Sequence, residues 1–282
     1  MKKILVPVDF SETSINALKL ACQFAMRADA GILLLHVNET VPYIIPVSEY
    51  AYTASAVDIE EYDQELKKRI QTLKSDILDD PRFKGLQIEA AIEAGLMVPV
   101  VKKVAEDEFA DLIVIGTMGA SGWKEMLVGS NTERVIRHAP CPVLVIPAGV
   151  QELKIDRVLV PTTLKPDQLG VFKTVKAWQD LMGFDVEALY VGDPLNASTR
   201  ANVEAEKNRL IEATGLRHVY LHLKSEAVKE EDAIRAYADE AEADLIIMGT
   251  HQRHGLSHLL FGSLTENTAN HTHVPVLAVP IF

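Results

Sequence analysis

What the chain has little of narrows its chemistry first. Cysteine occurs twice in 282 residues, at Cys22 and Cys141, far apart and in no CxxC arrangement. Neither a disulfide framework nor a thiolate site is supported, and a reducing compartment is the natural setting. Basic residues are outnumbered: 28 Lys and Arg against 40 Asp and Glu leave a net charge of −12. With no basic stripe to offset that field locally, nucleic acid and anionic membrane surfaces are poor partners. No stretch approaches the roughly 18 apolar residues of a membrane span, and no cleavable apolar segment follows the basic start. The expectation is a soluble, cytoplasmic protein.

What is present is a duplication, which has to be settled before any other organisation is inferred. "ILVPVDF" at the start returns as "VLVPTTL" from Val158, and "LLLHV" around His36 returns as "EALYV" ending at Val191, both displaced by 154 positions. "ADLIVIG", ending at Gly116, returns as "ADLIIMG", ending at Gly249, and "CPVLVIP" returns as "VPVLAVP", both displaced by 133. The first copy therefore carries 154 − 133 = 21 extra residues, an insertion at about 40–60 that begins near "VPYIIPVSEYAYTASAVDI". A Pro-Ala-Gly joint at "AGVQELK" divides the chain into units 1–147 and 154–282. Each is long enough to bury its own core.

Within the first copy, "KILVPV" and "GILLLHV" are short continuous apolar runs, the pattern of strands covered on both faces. "SETSINALKLACQFAMRAD" offers Ser11 as a cap, with Ile15, Leu18, Ala21, Cys22 and Phe24 along one helical stripe. A second helix carries Leu66, Ile70, Leu73 and Ile77 on one side. "QIEAAIEAG", "ADLIVIG" and "CPVLVIP" read as further strands, with helices over "VPVVKKVAEDEF" and "SNTERVIRHA". Strands alternating with helices give an α/β, doubly wound parallel sheet, in which ligands bind beyond the carboxyl ends of the strands.

Chemistry concentrates after the strand that ends at Gly116. The spacing G-x2-G-x9-G-S is completed by Gly119, Gly129 and Ser130, and Gly129-Ser130 opens a helix. Glycines let main-chain N–H groups approach a phosphate without an intervening Cβ, and a helix start adds unpaired N–H groups and partial positive charge. Asp9, at the tip of the first strand on the same rim, suits a nucleoside hydroxyl or amino group better than a phosphate. The second copy keeps Gly249, Gly262 and Ser263 but has Thr163 for the aspartate, Gln252 for the second glycine and His254 nearby.

Glycine frame, strand tip, flanking runs and their recurrence together resemble the universal stress protein family in tandem form, over nearly the whole chain apart from the insertion. The resemblance implies two tandem Rossmann-like parallel five-stranded sheets, paired through their last strands as an intramolecular pseudo-dimer, with association of two chains also open. It implies ATP, taken with or without Mg²⁺, with Pro7, Val8 and Asp9 at the nucleoside and the Val37 backbone facing adenine. Gly116 would lie near the ribose, and Met118, Gly119, Gly129, Ser130 and Asn131 along the phosphates. Losing a charged acceptor at Thr163 costs roughly 1.5–3 kcal/mol, and forcing a non-glycine residue to positive φ adds about 1–2. The sum, about 3–5 kcal/mol, is roughly a 100- to 1,000-fold loss of affinity or more. One competent site per chain, in the first copy, is the expectation.

That reading makes the chain an ATP-binding stress or energy-state regulator acting on a protein partner the sequence does not name. No nucleophile stands beside a base, no Walker lysine is present and no paired carboxylates suit metal-assisted hydrolysis, so catalysis is not required and any ATP hydrolysis should be slow. A nucleotide-independent interaction module on the same fold is the alternative. An adenylating enzyme or flavoprotein ranks behind both. Tyr43, Tyr50 and Tyr52 in the insertion are expected to pack it onto the partner domain, with a lid over the nucleotide as the alternative. His251, His254, His258, His271 and His273 complete no recognised metal pattern and are expected to be solvated or capping residues, with a metal site as the lesser alternative.

Overall fold

The computed structural model describes residues 1–39, 56–117, 130–192, 197–225, 229–251 and 261–281, with the backbone alone at 56–60, 130, 197–199, 225, 251 and 261–263. The first copy runs β1 (Lys3–Pro7), α1 (Glu12–Ala28), β2 (Gly31–Asn38), α2 (Ala56–Leu78), β3 (Ile88–Ala94), α3 (Met97–Asp107), β4 (Leu112–Thr117), α4 (Ser130–His138) and β5 (Val143–Pro147). The second runs β6 (Arg157–Pro161), α5 (Leu169–Met182), β7 (Asp185–Gly192), α6 (Ala197–Thr214), β8 (Val219–Ser225), α7 (Glu230–Glu240), β9 (Leu245–His251), α8 (Phe261–His271) and β10 (Val276–Ile281). The insertion tyrosines, Gln252, His254 and His258 fall outside the described residues.

Local capping marks the ends of α1 and α5. Ser11 caps α1 by accepting the Ser14 N–H at 3.2 Å, and Asp29 closes it in the left-handed conformation at φ 51°. Gly183 does the same for α5 at φ 75°. The aspartate in each "ADLI" run ties strands together. In the first copy, Asp111 Oδ2 accepts the N–H groups of Lys2 and Lys3 at 2.6 and 3.1 Å. Its counterpart Asp244 accepts those of Asp156 and Arg157, both at 2.9 Å. A carboxylate thus joins the entry of the fourth strand to the start of the first in both copies.

The strands form one ten-stranded sheet among the described residues, ordered β3-β2-β1-β4-β5-β10-β9-β6-β7-β8. Pairing is parallel within each copy, and β5 meets β10 antiparallel. The register at that seam puts Leu144 opposite Leu277, its own counterpart at 277 − 144 = 133, with Val143 on Ala278 and Val145 on Val276. On one face Phe24 of α1 stacks on Trp178 of α5, ring centroids 4.5 Å apart, and 178 − 24 is the other repeat spacing, 154. Residues meeting their own duplicates define a two-fold, isologous contact inside one chain. The pseudo-dimer expected from the last strands is therefore formed.

Two apolar layers cover the sheet. Helices α1, α2, α5 and α6 bury Phe24, Ile70, Phe172 and Leu210 on one side, in a core continuous across both copies. Helices α3, α4, α7 and α8 bury Val101, Val135, Ile234 and Ala269 on the other. Cys22 and Cys141 are both buried, and loss of water pushes each thiol up to about 12, so neither is a reactive thiolate.

Candidate functional site

Strand order reverses between β1 and β4, and the sheet opens there into a cleft of about 330 Å³ beyond the carboxyl ends of the strands. Pro7, Val8 and Asp9 form one wall from the end of β1, and Val37 and Glu39 another from β2. Gly116 and Thr117 supply the floor from β4, while Ser11, Thr13 and Ser14 come from the start of α1. Met97 at the start of α3 and Asn131 and Thr132 at the start of α4 complete it. Six sequence-derived candidates, Pro7, Val8, Asp9, Val37, Gly116 and Asn131, thus line one cavity. Ser130 is the first residue of α4, and Met118, Gly119 and Gly129 lie outside the described residues.

Asp9 is held as an acceptor. Its Oδ1 takes the Ser11 N–H at 2.9 Å, and its own N–H reaches Ser14 Oγ at 3.4 Å. Partial burial works to raise its pKa, but the hydrogen bonds from Ser11, Ser14 and its own main chain outweigh that and hold the carboxyl below its ordinary range. The next residue, Phe10, sits at φ 62°, a strained conformation for an aromatic residue. It is wedged between the His36 ring, centroids 4.7 Å apart, and the Arg69 guanidinium, 4.2 Å from its centroid. His36 donates Nδ1–H to the Val8 carbonyl at 2.8 Å, which fixes the strand tip from below.

Gly116 has a packing reason beside any ligand reason. A Cβ there would stand 2.4 Å from the Thr13 carbonyl oxygen, main-chain against main-chain, so the glycine lets α1 cross the end of β4. Thr117 is one of the lining residues that the sequence did not single out, as are Thr13, Ser14, Glu39, Met97 and Thr132. The Thr117 hydroxyl is buried in the cleft floor without a hydrogen-bond partner among the described residues, and so is that of its counterpart Thr250 in the second copy, so the feature belongs to both copies of the frame.

The same place in the second copy is nearly filled, a cavity of about 30 Å³. Its lining maps onto the first residue by residue: Pro161, Thr162 and Thr163 stand for Pro7, Val8 and Asp9, and Gly249 for Gly116. Three further substitutions lie outside the glycine frame. Gln168 replaces Ser14 with a larger buried side chain, Leu264 replaces Asn131, and Glu230 replaces Met97. Laying the helix starts of the two copies side by side would have found all three. Thr265, the counterpart of Thr132, donates its hydroxyl to the Gly249 carbonyl at 3.1 Å. The strained turn persists, with Leu164 at φ 55°, but here its N–H is held by Thr162 Oγ1 at 2.9 Å.

Glu230 keeps much of its surface in water, yet the walls of the small cavity remove enough solvent to raise its pKa. The folded state therefore binds this proton more tightly than the unfolded chain, and the resulting penalty is absent at acid pH and grows as pH rises through the folded pKa. Glu230→Gln is expected to stabilise the protein at pH 7 by at most about 1 kcal/mol, given solvent screening, or roughly 2–3 °C in Tm. The gain should vanish at pH 4. Melting curves of both proteins at the two pH values check this, and an equal gain at both would assign the effect to packing instead.

Among the described residues no cluster of three metal-ligating side chains occurs. His271 Nδ1 meets Glu231 at 3.0 Å, and His273 approaches Asp239 at 3.5 Å. No described helix is long and apolar enough to cross a membrane.

Comparison with known proteins agrees with this architecture. A universal stress protein of Mycolicibacterium smegmatis is 27% identical over 288 residues, covering 98% of this chain and 96% of the relative. One from Methanocaldococcus jannaschii is 32% identical over 145 residues, 51% of this chain and 81% of the relative. The crystal structure of a universal stress protein from Archaeoglobus fulgidus superposes with a TM-score of 0.78 at 23% identity, covering 99% of this chain and 98% of that one, a likeness of fold. The profile of the universal stress protein family matches twice, at residues 1–147 and 154–280, and the chain belongs to that family as a tandem, two-domain member.

Proposed function

We propose that the protein is an ATP-binding regulator of the stress or energy state, holding one adenine nucleotide per chain in domain 1 (residues 1–147), while domain 2 (154–282) serves as the structural partner. The observation that carries this reading is the contrast between duplicates: a cleft of about 330 Å³ in one copy and about 30 Å³ in the other, on the same backbone frame. The wider cleft offers the ionised Asp9 to a nucleoside and the start of α4 to a polar ligand. Pro7, Val8 and Val37 then contact the nucleoside, with Gly116 at the ribose. Met118, Gly119, Gly129, Ser130 and Asn131 follow the phosphates, with Mg²⁺ as counter-ion where it is required. Domain 2 presents Leu264 and Glu230 instead, an apolar group and a negative charge, both adverse to a polyphosphate.

Calorimetric titration of the full chain with ATP, with and without Mg²⁺, tests the reading. One site per chain is expected. Two equivalent sites would remove the asymmetry, and no binding would leave the interaction-module reading in its place.

A further inference from the structure

Two side-chain pairs cross the pseudo-two-fold axis between the helices that border the two cavities, and the pairs are unequal. Helices α4 and α8 pack against each other beneath the β5–β10 seam. Glu133 accepts from Asn270 Nδ2 at 2.6 Å, and Glu266 accepts from Arg137 Nε and Nη2 at 3.0 and 2.6 Å. These are the same contact written twice, because 266 − 133 and 270 − 137 both equal the repeat spacing of 133. Only one version kept its arginine.

The positions of the pairs matter as much as their strengths. Glu133 follows Thr132, which lines the first cleft, and Glu266 follows Thr265, which lines the second. The Glu266 side chain is 4% exposed, so separating it from Arg137 would leave a buried charge unpaired. The single Asn270 bond is the looser of the two. The stiff link therefore attaches the last turn of α4, whose first turn faces the first cleft, to the turn of α8 beside the second. From there α8 reaches onward: Thr265 holds the Gly249 carbonyl, and His271 and Asn267 meet Glu231 in the first turn of α7 at 3.0 and 3.5 Å.

We infer that domain 2 reads the occupancy of domain 1: a nucleotide anchored at the start of α4 displaces α8 through the Arg137–Glu266 pair, and the rim formed by α8 and the first turn of α7 is the surface that changes. This rests on the nucleotide reading of the first cleft and adds its regulation. The closed second cavity is then the receiving end of a two-site linkage and need bind no ligand itself.

Hydrogen exchange of the full chain, with and without saturating Mg-ATP, tests the linkage, with binding measured on the same samples by calorimetry. Amides of residues 265–271 are expected to exchange more slowly by on the order of fivefold when nucleotide binds. The double variant Arg137→Met/Glu266→Met removes both charges together and so leaves none buried alone. It should bind Mg-ATP within about twofold of the parent and show no such protection in α8. Binding without protection in the parent, or equal protection in the double variant, would overturn the inference and leave the nucleotide reading intact. Absence of binding in the calorimeter would sink that reading and this one together.

Discussion

Phe24→Ala is expected to lower the stability of the whole chain by about 3–5 kcal/mol and to leave one cooperative unfolding transition. Phe24 is 1% exposed and Trp178 3%, and the two rings stack at the pseudo-two-fold axis. Removing either ring opens a cavity walled by both domains. Leu144 and Leu277, paired across the β5–β10 seam, belong to the same buried layer. Further bonds tie α1 to the joint between the domains: Asn16 Nδ2 donates to the Val150 carbonyl at 2.8 Å, and Arg27 to the Leu153 carbonyl at 3.4 Å. Because the apolar layer on this face runs through both domains, damage to one helix of domain 1 is felt by domain 2. Scanning calorimetry and far-ultraviolet circular dichroism should show a single transition displaced downward by on the order of 10 °C. Trp178→Ala should do the same, and the double variant should cost less than the sum by about 1 kcal/mol, the aromatic pairing itself. Two separated transitions, with only one displaced, would mean that the domains fold independently.

Much of this architecture was legible because duplication supplies its own control. The apolar runs placed the strands, and the cap at Ser11 placed α1, since capping and burial act over a few residues and leave a local trace. The pseudo-dimer followed from the family resemblance and from "PVLVIP" recurring as "PVLAVP". What the sequence hid was contact at long range. The unpartnered Thr117 hydroxyl depends on how α4 and β4 enclose it, and the Phe10 wedge joins residues from α2 and β2 that no periodicity connects. Gly116 was legible as a glycine but for one reason only; the crossing of Thr13 above it emerges when α1 is laid on the sheet. The closing of the second cavity was visible in principle in Gln168, Glu230 and Leu264, but glycines draw attention more readily than a leucine in place of an asparagine.

Transplanting that closure gives the sharpest test of the cleft. Met97→Glu/Asn131→Leu copies Glu230 and Leu264 into domain 1, at positions where domain 2 already tolerates them, so the variant is expected to fold. Met97 begins α3, and its N–H is held by Glu39 Oε1 at 2.8 Å, so a second carboxylate there adds like charge at the mouth of the cleft. Against a polyphosphate, a partly exposed negative charge some 6–8 Å away costs about 2 kcal/mol at an effective dielectric constant near 20. Exchanging the Asn131 amide for an isobutyl group removes a further hydrogen bond and desolvates what remains, about 1–2 kcal/mol. The combined 3–4 kcal/mol is roughly a 150- to 900-fold weaker Kd for ATP. Adenosine, which lacks the phosphates, should lose far less from the charge. Thermal melting of the free variant within a few degrees of the parent would show that the fold survived. An unchanged Kd for ATP on such a folded variant would mean that the nucleotide sits elsewhere than the cleft between β1 and β4.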